Sequence, residues 1–413
     1  MFDPRSVEIM SPSGSYESLS AAIQGGANSI YFGVGQLNMR AKSSINFSLN
    51  DLQEIATICQ DKNVKSYLTV NTIIYDNDLD SMRKIVDAAA TANISAIIAS
   101  DQSTMIYCRQ QGVEVHLSTQ LNISNTESLK FYSQWADVAV LARELNLDQI
   151  QLISKNINDQ NITGPSGKKV RLELFAHGAL CMAISGKCYL SLHEANASAN
   201  RGACLQICRR SYSVTDNETG AQLEVENEYI MSPKDLCTIG FLNKIVDAGV
   251  TVLKLEGRAR SPEYVKTVTS CYREAVNALA DGTYNQEQID HWMERLKSVF
   301  NRGFWNGYYL GQRLGEWSHR YGSSATERKV YVGKITNYFT KLGVAEVKVE
   351  AADLLKNDKF LIIGPSTGVV ESVADEIRVD DSSVELCTKG TCCSIKVGDM
   401  VRRNDKLYKV IKS

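Results

Sequence analysis

The chain has 413 residues, with 45 Lys and Arg against 47 Asp and Glu for a formal net charge of -2, and 44% of its residues are hydrophobic. That balance excludes a nucleic-acid coat driven by bulk charge, and the lack of any run of about 18 apolar residues speaks against a membrane span. The opening MFDPRSVEIM has neither a basic stretch nor an apolar core of a secretory leader, so the expected location is the cytosol, with no membrane partner.

Length divided by about 150 residues per domain suggests two or three domains, although an α/β barrel of about 250 residues forms one. Short apolar runs then follow at regular intervals. They begin at Glu8, Ser29, Ser66, Ala96, Val113, Val138, Val170 and Thr251, and each reads as a buried parallel strand. Between them lie amphipathic segments; the clearest starts at Ser48 and carries Leu52, Ile55, Ala56 and Cys59 on one helical face. Eight strands in repeated βα order predict an α/β fold, a (β/α)8-type barrel rather than a doubly wound sheet.

The spacing breaks before the last strand, where about 75 residues intervene, a cysteine-rich loop insertion at about 176–240. After that strand, Ser261-Pro262-Glu263 starts a helix running to about Ala280, and Gln286 to Phe300 forms a second, giving a helical extension over about 262–320. From Lys329 onward the pattern changes to short alternating strands, including Val330–Ile335, Ala345–Val349 and Phe360–Ile363. The expected organisation is therefore a barrel domain over 1–325 and a small antiparallel β-barrel over 326–413.

Five of the eleven cysteines fall in the insertion. In a reducing compartment they are not a disulfide framework, so clustering among them points to metal or chemistry. Cys181, Cys188, Cys204 and Cys208 are spaced C-x6-C-x15-C-x3-C among glycines that let a loop wrap one centre. Two close pairs would suit zinc, and only Cys204 and Cys208 approach that. An iron-sulfur cluster accepts wider spacing, and buried thiols with no metal are a third reading. Cys237 is a rival ligand to Cys208. The remaining six cysteines read as packing residues.

The run Glu173-x-Phe175-x-x-Gly178-Ala179-Leu180-Cys181-x4-Gly186-x-Cys188-x-Leu190-Ser191 resembles the signature of the collagenase-like peptidase family of unknown catalytic type. Arg201-Gly202-x-Cys204-x3-Cys208-Arg209, then Met231-Ser232-Pro233-Lys234-Asp235-Leu236, then Lys254-Leu255-Glu256-Gly257-Arg258-x-Arg260 are arranged as in its tRNA hydroxylation branch. The resemblance covers roughly the first 320 residues. It implies a 4Fe-4S cluster on Cys181, Cys188, Cys204 and Cys208, and prephenate-dependent conversion of the tRNA wobble uridine to 5-hydroxyuridine. The family label, peptidase, and hydroxylation of ribosomal RNA are the alternatives. A zincin site is absent, because His193-Glu194 is followed by Ala197 where H-E-x-x-H requires histidine.

Barrel active sites are built at strand carboxy ends. Those positions supply Arg40, Asn71, Asp101, Gln120, Arg143, His177, Glu256, Arg258 and Arg260. His177, Glu256 and Arg258 are the catalytic candidates, with an ion pair to Glu256 or Glu263 as the rival role for Arg258. Arg40, Arg143 and Arg260 are candidates for binding a dicarboxylate such as prephenate, since a guanidinium grips carboxylates bidentately. His177, four residues before Cys181, reads equally as a core histidine. A tRNA partner would need basic patches, and two are visible: Arg201, Arg209 and Arg210 beside the cysteines, and Lys396, Arg402, Arg403, Lys406, Lys409 and Lys412 in the tail.

Overall fold

The structure is a computed structural model, and it describes residues 3–42, 46–220, 229–312, 315–380 and 382–413. Residues 221–228 of the expected insertion lie outside the described residues. Among the described residues, the barrel is made by β1 (Glu8–Pro12), β2 (Ser29–Gly33), β3 (Lys65–Val70), β4 (Ala96–Ala99), β5 (Val115–Leu117), β6 (Val138–Val140), β7 (Arg171–Gly178) and, after an intervening β8 (Asp235–Cys237), β9 (Val252–Leu255). Neighbouring barrel strands pair in parallel from β1 to β7, and β9 closes the ring by pairing in parallel with both β7 and β1. This is the expected parallel barrel.

Period-two alternation sorts the strand residues. Tyr31 points inward with Met10, Tyr67, Ala96, Ile98, Val138 and Val252, while its neighbours Ile30 and Phe32 join the larger core under the helices. That outer layer includes α1 (Tyr16–Gln24), α2 (Leu52–Asp61), α3 (Leu79–Thr91), α4 (Gln102–Gln110), α5 (Thr126–Ser133) and α6 (Leu147–Asp159). As the pattern from Ser48 predicts, α2 buries Leu52, Ile55, Ala56 and Cys59. The insertion carries α7 (Leu190–Ala195) and then β8, which runs antiparallel to the end of β7. Beyond α8 (Leu242–Asp247) and β9 come α9 (Pro262–Asp281), α10 (Gln286–Ser298) and β10 (Phe304–Trp305), the last pairing with β8. Neither β8 nor β10 is visible in the sequence pattern, because two or three residues are too short to show a period.

The tail is an antiparallel sheet, as expected. In sequence order its eight strands run from Glu327–Phe339 to Lys406–Lys412 among the described residues. Their inner faces meet in one apolar cluster that includes Val332, Val347, Phe360, Ile377, Ile395 and Leu407, which requires the sheet to curl on itself. The tail docks on the barrel through Leu361, Ile363 and Val369, which belong to the barrel's own core cluster. Gln24 on α1 donates to the Thr367 carbonyl at 2.8 Å and accepts from Val369 N at 2.9 Å, and Lys266 on α9 donates to the Val369 carbonyl at 2.9 Å.

Candidate functional site

A cavity of about 160 Å³ opens at the carboxy ends of the barrel strands. Its floor comes from Tyr31, Thr69, Phe175, Lys254, Glu256 and Arg258, and its roof from the insertion, including all four of Cys181, Cys188, Cys204 and Cys208. Lys254 on β9 and Glu256 and Arg258 in the segment that leaves it line this wall together.

Glu256 is the electrostatic hub. Its carboxylate accepts from Arg40 Nη2 at 2.8 Å and from the Tyr31 hydroxyl at 3.0 Å. Burial alone would push its pKa up, but Arg40 beside it, then Arg258 and Arg143, hold it down at about 2. Arg258 is buried and donates to neutral atoms, Asn38 Oδ1 at 3.2 Å and Thr69 Oγ1 at 2.9 Å. The ion pair anticipated as its rival role is not formed among the described residues: Glu256 pairs with Arg40, and Glu263 pairs with Lys329 at 2.8 Å. Burial lowers the Arg258 pKa to about 10, which leaves it a cation at neutral pH. The Arg143 guanidinium lies 3.8 Å from the Phe175 ring centre, and its buried Nε has no hydrogen-bond partner. Lys254, also buried, donates to Glu173 Oε1 at 2.7 Å and sits 4.9 Å from the Tyr31 ring centre.

The loop is shaped by backbone as much as by side chains. Gly178 ends β7 at φ +104°, and an added Cβ there would collide with the Glu256 carbonyl oxygen. Gly202, between Cys188 and Cys204, has φ +79° and lies against the Asn38 carbonyl, which ties the loop to the barrel rim. Cys181 is exposed and Cys188, Cys204 and Cys208 are half-buried, and all four are free thiols. Burial pushes the Cys208 thiol up, Arg209 pulls it down, and Cys181, Cys204 and Cys188 push it up again, so the four share one electrostatic neighbourhood. Among the described residues, no three His, Cys, Asp or Glu side chains are gathered closely enough for a single metal ion.

Of the residues singled out in the sequence, the structure brings together Arg40, Arg143, Glu256, Arg258, Asn71, Gln120 and the four cysteines on this cavity. His177, Arg260, Cys237 and Asp101 do not line it. A register shift between Phe175 and His177 in the β7–β9 pairing breaks the alternation that would have aimed His177 inward. The ring instead sits among Tyr264, Tyr272 and Phe304, where burial lowers its pKa to about 3. Arg260 stacks on Phe300 at 3.5 Å. Cys237 is buried with its sulfur 3.7 Å from Met293 Sδ, and burial pushes its thiol up to about 11. Asp101 caps α4 through Ser103 N.

The basic residues near the cysteines are mostly engaged: Arg201 pairs with Asp78, and Arg210 with Glu194 at 2.5 Å. Arg209 lines the cavity and donates to the carbonyls of Leu180 at 2.6 Å and Pro233 at 2.7 Å, pinning both ends of the loop. The residues that sequence reasoning missed are Lys254, its partner Glu173, and Asn38, whose amide oxygen serves both Arg40 N and Arg258. A lysine two positions before Glu256 in an apolar strand was the available signal.

Residues 14–319 match the family described as Peptidase family U32. A protein of Porphyromonas gingivalis named collagenase is 62% identical over 405 residues, covering 98% of each chain. Bacillus subtilis tRNA hydroxylation protein P1 is 30% identical over 381 residues, covering 89% of this chain and 87% of its own. A 23S rRNA 5-hydroxycytidine synthase of Escherichia coli is 31% identical over 317 residues, covering 75% of this chain and 46% of its own. No helix among the described residues is long and apolar enough to cross a membrane. With the family match spanning most of the barrel and the whole cysteine loop, this chain belongs to the U32 peptidase family.

Proposed function

We propose that the chain is an iron-sulfur RNA hydroxylase that converts the wobble uridine of tRNA to 5-hydroxyuridine, with prephenate as co-substrate. The observation that carries the reading is the composition of one cavity: four free thiols on its roof, and Arg143, Arg258 and Lys254 on its floor. Relatives named for tRNA and ribosomal RNA hydroxylation align across that region.

The donor set suits a 4Fe-4S cluster. Four cysteines line a common wall, as ligands at the corners of one cluster would. Cys181, Cys188, Cys204 and Cys208 would hold it, and when bound it supplies one-electron chemistry. The chain's own residues do the rest. Arg143 and Arg258 receive the carboxylates of a dianionic co-substrate, because both lie on the cavity and neither is neutralised by an ion pair among the described residues. Glu256, a carboxylate at neutral pH held well below the usual range, accepts hydrogen bonds and adds fixed negative charge to the floor, and Arg40 fixes its orientation.

Nucleoside mass spectrometry of tRNA from a deletion strain tests the reading: 5-hydroxyuridine should vanish and return with the wild-type gene. Its persistence, in a strain without a second family member, overturns the proposal. Anaerobic purification should yield iron and sulfide, and each of the four cysteine substitutions should lower both.

The identity to a protein named collagenase favours peptide cleavage as a second reading. A thiol peptidase needs a base beside its cysteine. Among the described residues no histidine lines the cavity, and His177 makes its ring contacts with Tyr264, Tyr272 and Phe304 instead. Gelatin cleavage by the purified holoprotein, abolished by Cys181→Ala with iron retained, would establish this reading against the first.

A further inference from the structure

The cations of the tail are not one patch. Lys409 is bound to the Asp353 carbonyl at 2.7 Å, and Lys406 and Lys412 stand along one strand, opposite Lys334 and Glu327. Arg402 and Arg403 belong elsewhere. The loop that bears them leaves Val397, whose N–H donates to the Gly343 carbonyl at 2.7 Å, and returns at Asn404, whose N–H donates to the Ile335 carbonyl at 2.8 Å. It therefore runs beside the end of the Glu327–Phe339 strand and the turn that joins this strand to Val344–Val349.

That turn carries Lys341, and Lys396 pairs in register with Val344 just beyond it. Lys341, Lys396, Arg402 and Arg403 thus converge on one tip, all exposed and with no ion pair among the described residues. Asp399, Glu346 and Asp405 are the neighbouring acids: Glu346 accepts from Thr336 Oγ1 at 2.5 Å, and the buried Asp405 accepts from Arg402 N at 2.7 Å and Thr367 Oγ1 at 2.5 Å. The same tip leaves large apolar groups in water: Leu342 is 69% exposed, Met400 55% and Phe339 43%. Between hairpin and loop lies a shallow open depression of about 590 Å³, lined by Tyr338, Thr340, Met400, Arg402 and Arg403 together with Glu346.

Unpaired cations interleaved with exposed aromatic and aliphatic side chains match a polyanion that also has flat apolar faces. Phosphates suit the guanidinium and ammonium groups, and unstacked bases suit the rings. We infer that this tip is the surface on which the tail holds single-stranded or loop RNA, which rests on the reading of the chain as an RNA-modifying enzyme. The barrel cavity then acts on a nucleotide of a strand gripped at a second point.

The test is binding of fluorescein-labelled total tRNA to the full-length protein across a salt series. Arg402→Ala/Arg403→Ala and Lys341→Ala/Lys396→Ala should each weaken binding about tenfold and lower the salt slope by about 1 per cation removed. Phe339→Ala/Leu342→Ala should weaken binding with the slope unchanged, as loss of base contact requires. All these side chains are exposed, so circular dichroism and melting should match wild type. Wild-type affinity and slope in both cation variants overturns the inference, as does a wild-type protein that does not bind tRNA. The nucleoside profile of the deletion strain separates the two claims. Lost hydroxylation with unchanged affinity in the variants removes the surface and leaves the function, and the converse result removes the function and leaves an RNA-binding surface.

Discussion

Arg258 is a buried cation whose hydrogen-bond partners are neutral amide and hydroxyl oxygens. Retaining such a charge costs several kcal/mol of desolvation, and both acceptors keep another hydrogen bond without it, Asn38 Oδ1 from Arg40 N and Thr69 Oγ1 to the Phe32 carbonyl. Arg258→Met should therefore leave the melting temperature within a few degrees of wild type while lowering hydroxylation about 10- to 100-fold, the worth of a charged hydrogen bond to an anion. Thermal melting and nucleoside quantification of the complemented strain check the two halves. Cys237 gives the complementary case: buried against Met293 away from the cavity, it should be replaceable by alanine with the iron content unchanged. Carboxylates set the acid limit. Glu8, at the opposite end of the barrel, accepts from Tyr67 at 2.6 Å and Arg171 at 2.7 Å, and these partners overcome burial to hold it at about 2, as Glu256 is held. A carboxyl lowered from 4.5 contributes its full stability above that value and loses it as pH falls toward 2. Melting temperature should thus hold from neutrality to about pH 5 and then drop. Glu8→Gln should lower it at pH 7, by on the order of 2–3 kcal/mol of stability, and flatten the acid slope.

At the scale of elements, β7 decides which residues reach the cavity. Its bulge sends His177 outward, and Gly178 then turns the chain into the cysteine loop at a φ that a Cβ would strain while striking the Glu256 carbonyl. Gly178→Ala should cost about 2–4 kcal/mol in urea unfolding and reduce cluster content together, because the same residue seats the loop and the β9 end. The eight barrel strands were legible in the sequence because buried parallel strands are short apolar runs, here alternating with amphipathic helical segments. The four cysteines, Glu256 and Arg258 were legible from spacing and motif. Whether His177 faces the cavity or the core stayed open in the sequence, because a bulge is a property of two paired strands, and β9 lies some 75 residues away from β7. Lys254 was passed over for the same reason, since its meaning depends on Glu173 on the neighbouring strand β7. In the tail, residues close in sequence were grouped as one basic patch, whereas strand pairing and a loop return separate Lys406, Lys409 and Lys412 from Arg402 and Arg403.

The whole molecule has a seam, where β1 pairs with β9, and the helices that follow those strands, α1 and α9, pack together over it. Gly25 lets them close, since a Cβ there would stand 2.7 Å from Thr269 Cβ, and Ser11 and Thr269 hydroxyls bond at 2.7 Å beneath. The tail lies across these same two helices through Gln24, Lys266, Leu361, Ile363 and Val369. A chain ending at residue 325 would leave that apolar patch in water, so it should be recovered mainly as aggregate, whereas the full chain should unfold as one unit in calorimetry. The seam also imposes a schedule on synthesis. The first barrel strand leaves the ribosome roughly 240 residues before its partner, an interval on the order of 10–50 s at ordinary elongation rates. Throughout that time the growing sheet carries an open edge on each side, with all seven strands waiting over the last 75 or so residues, and the residues that fasten the joint come after them. Nascent chains of this protein are thus obliged clients of whatever shields unpaired strands, and slowing translation after β7 should increase the fraction lost to aggregation.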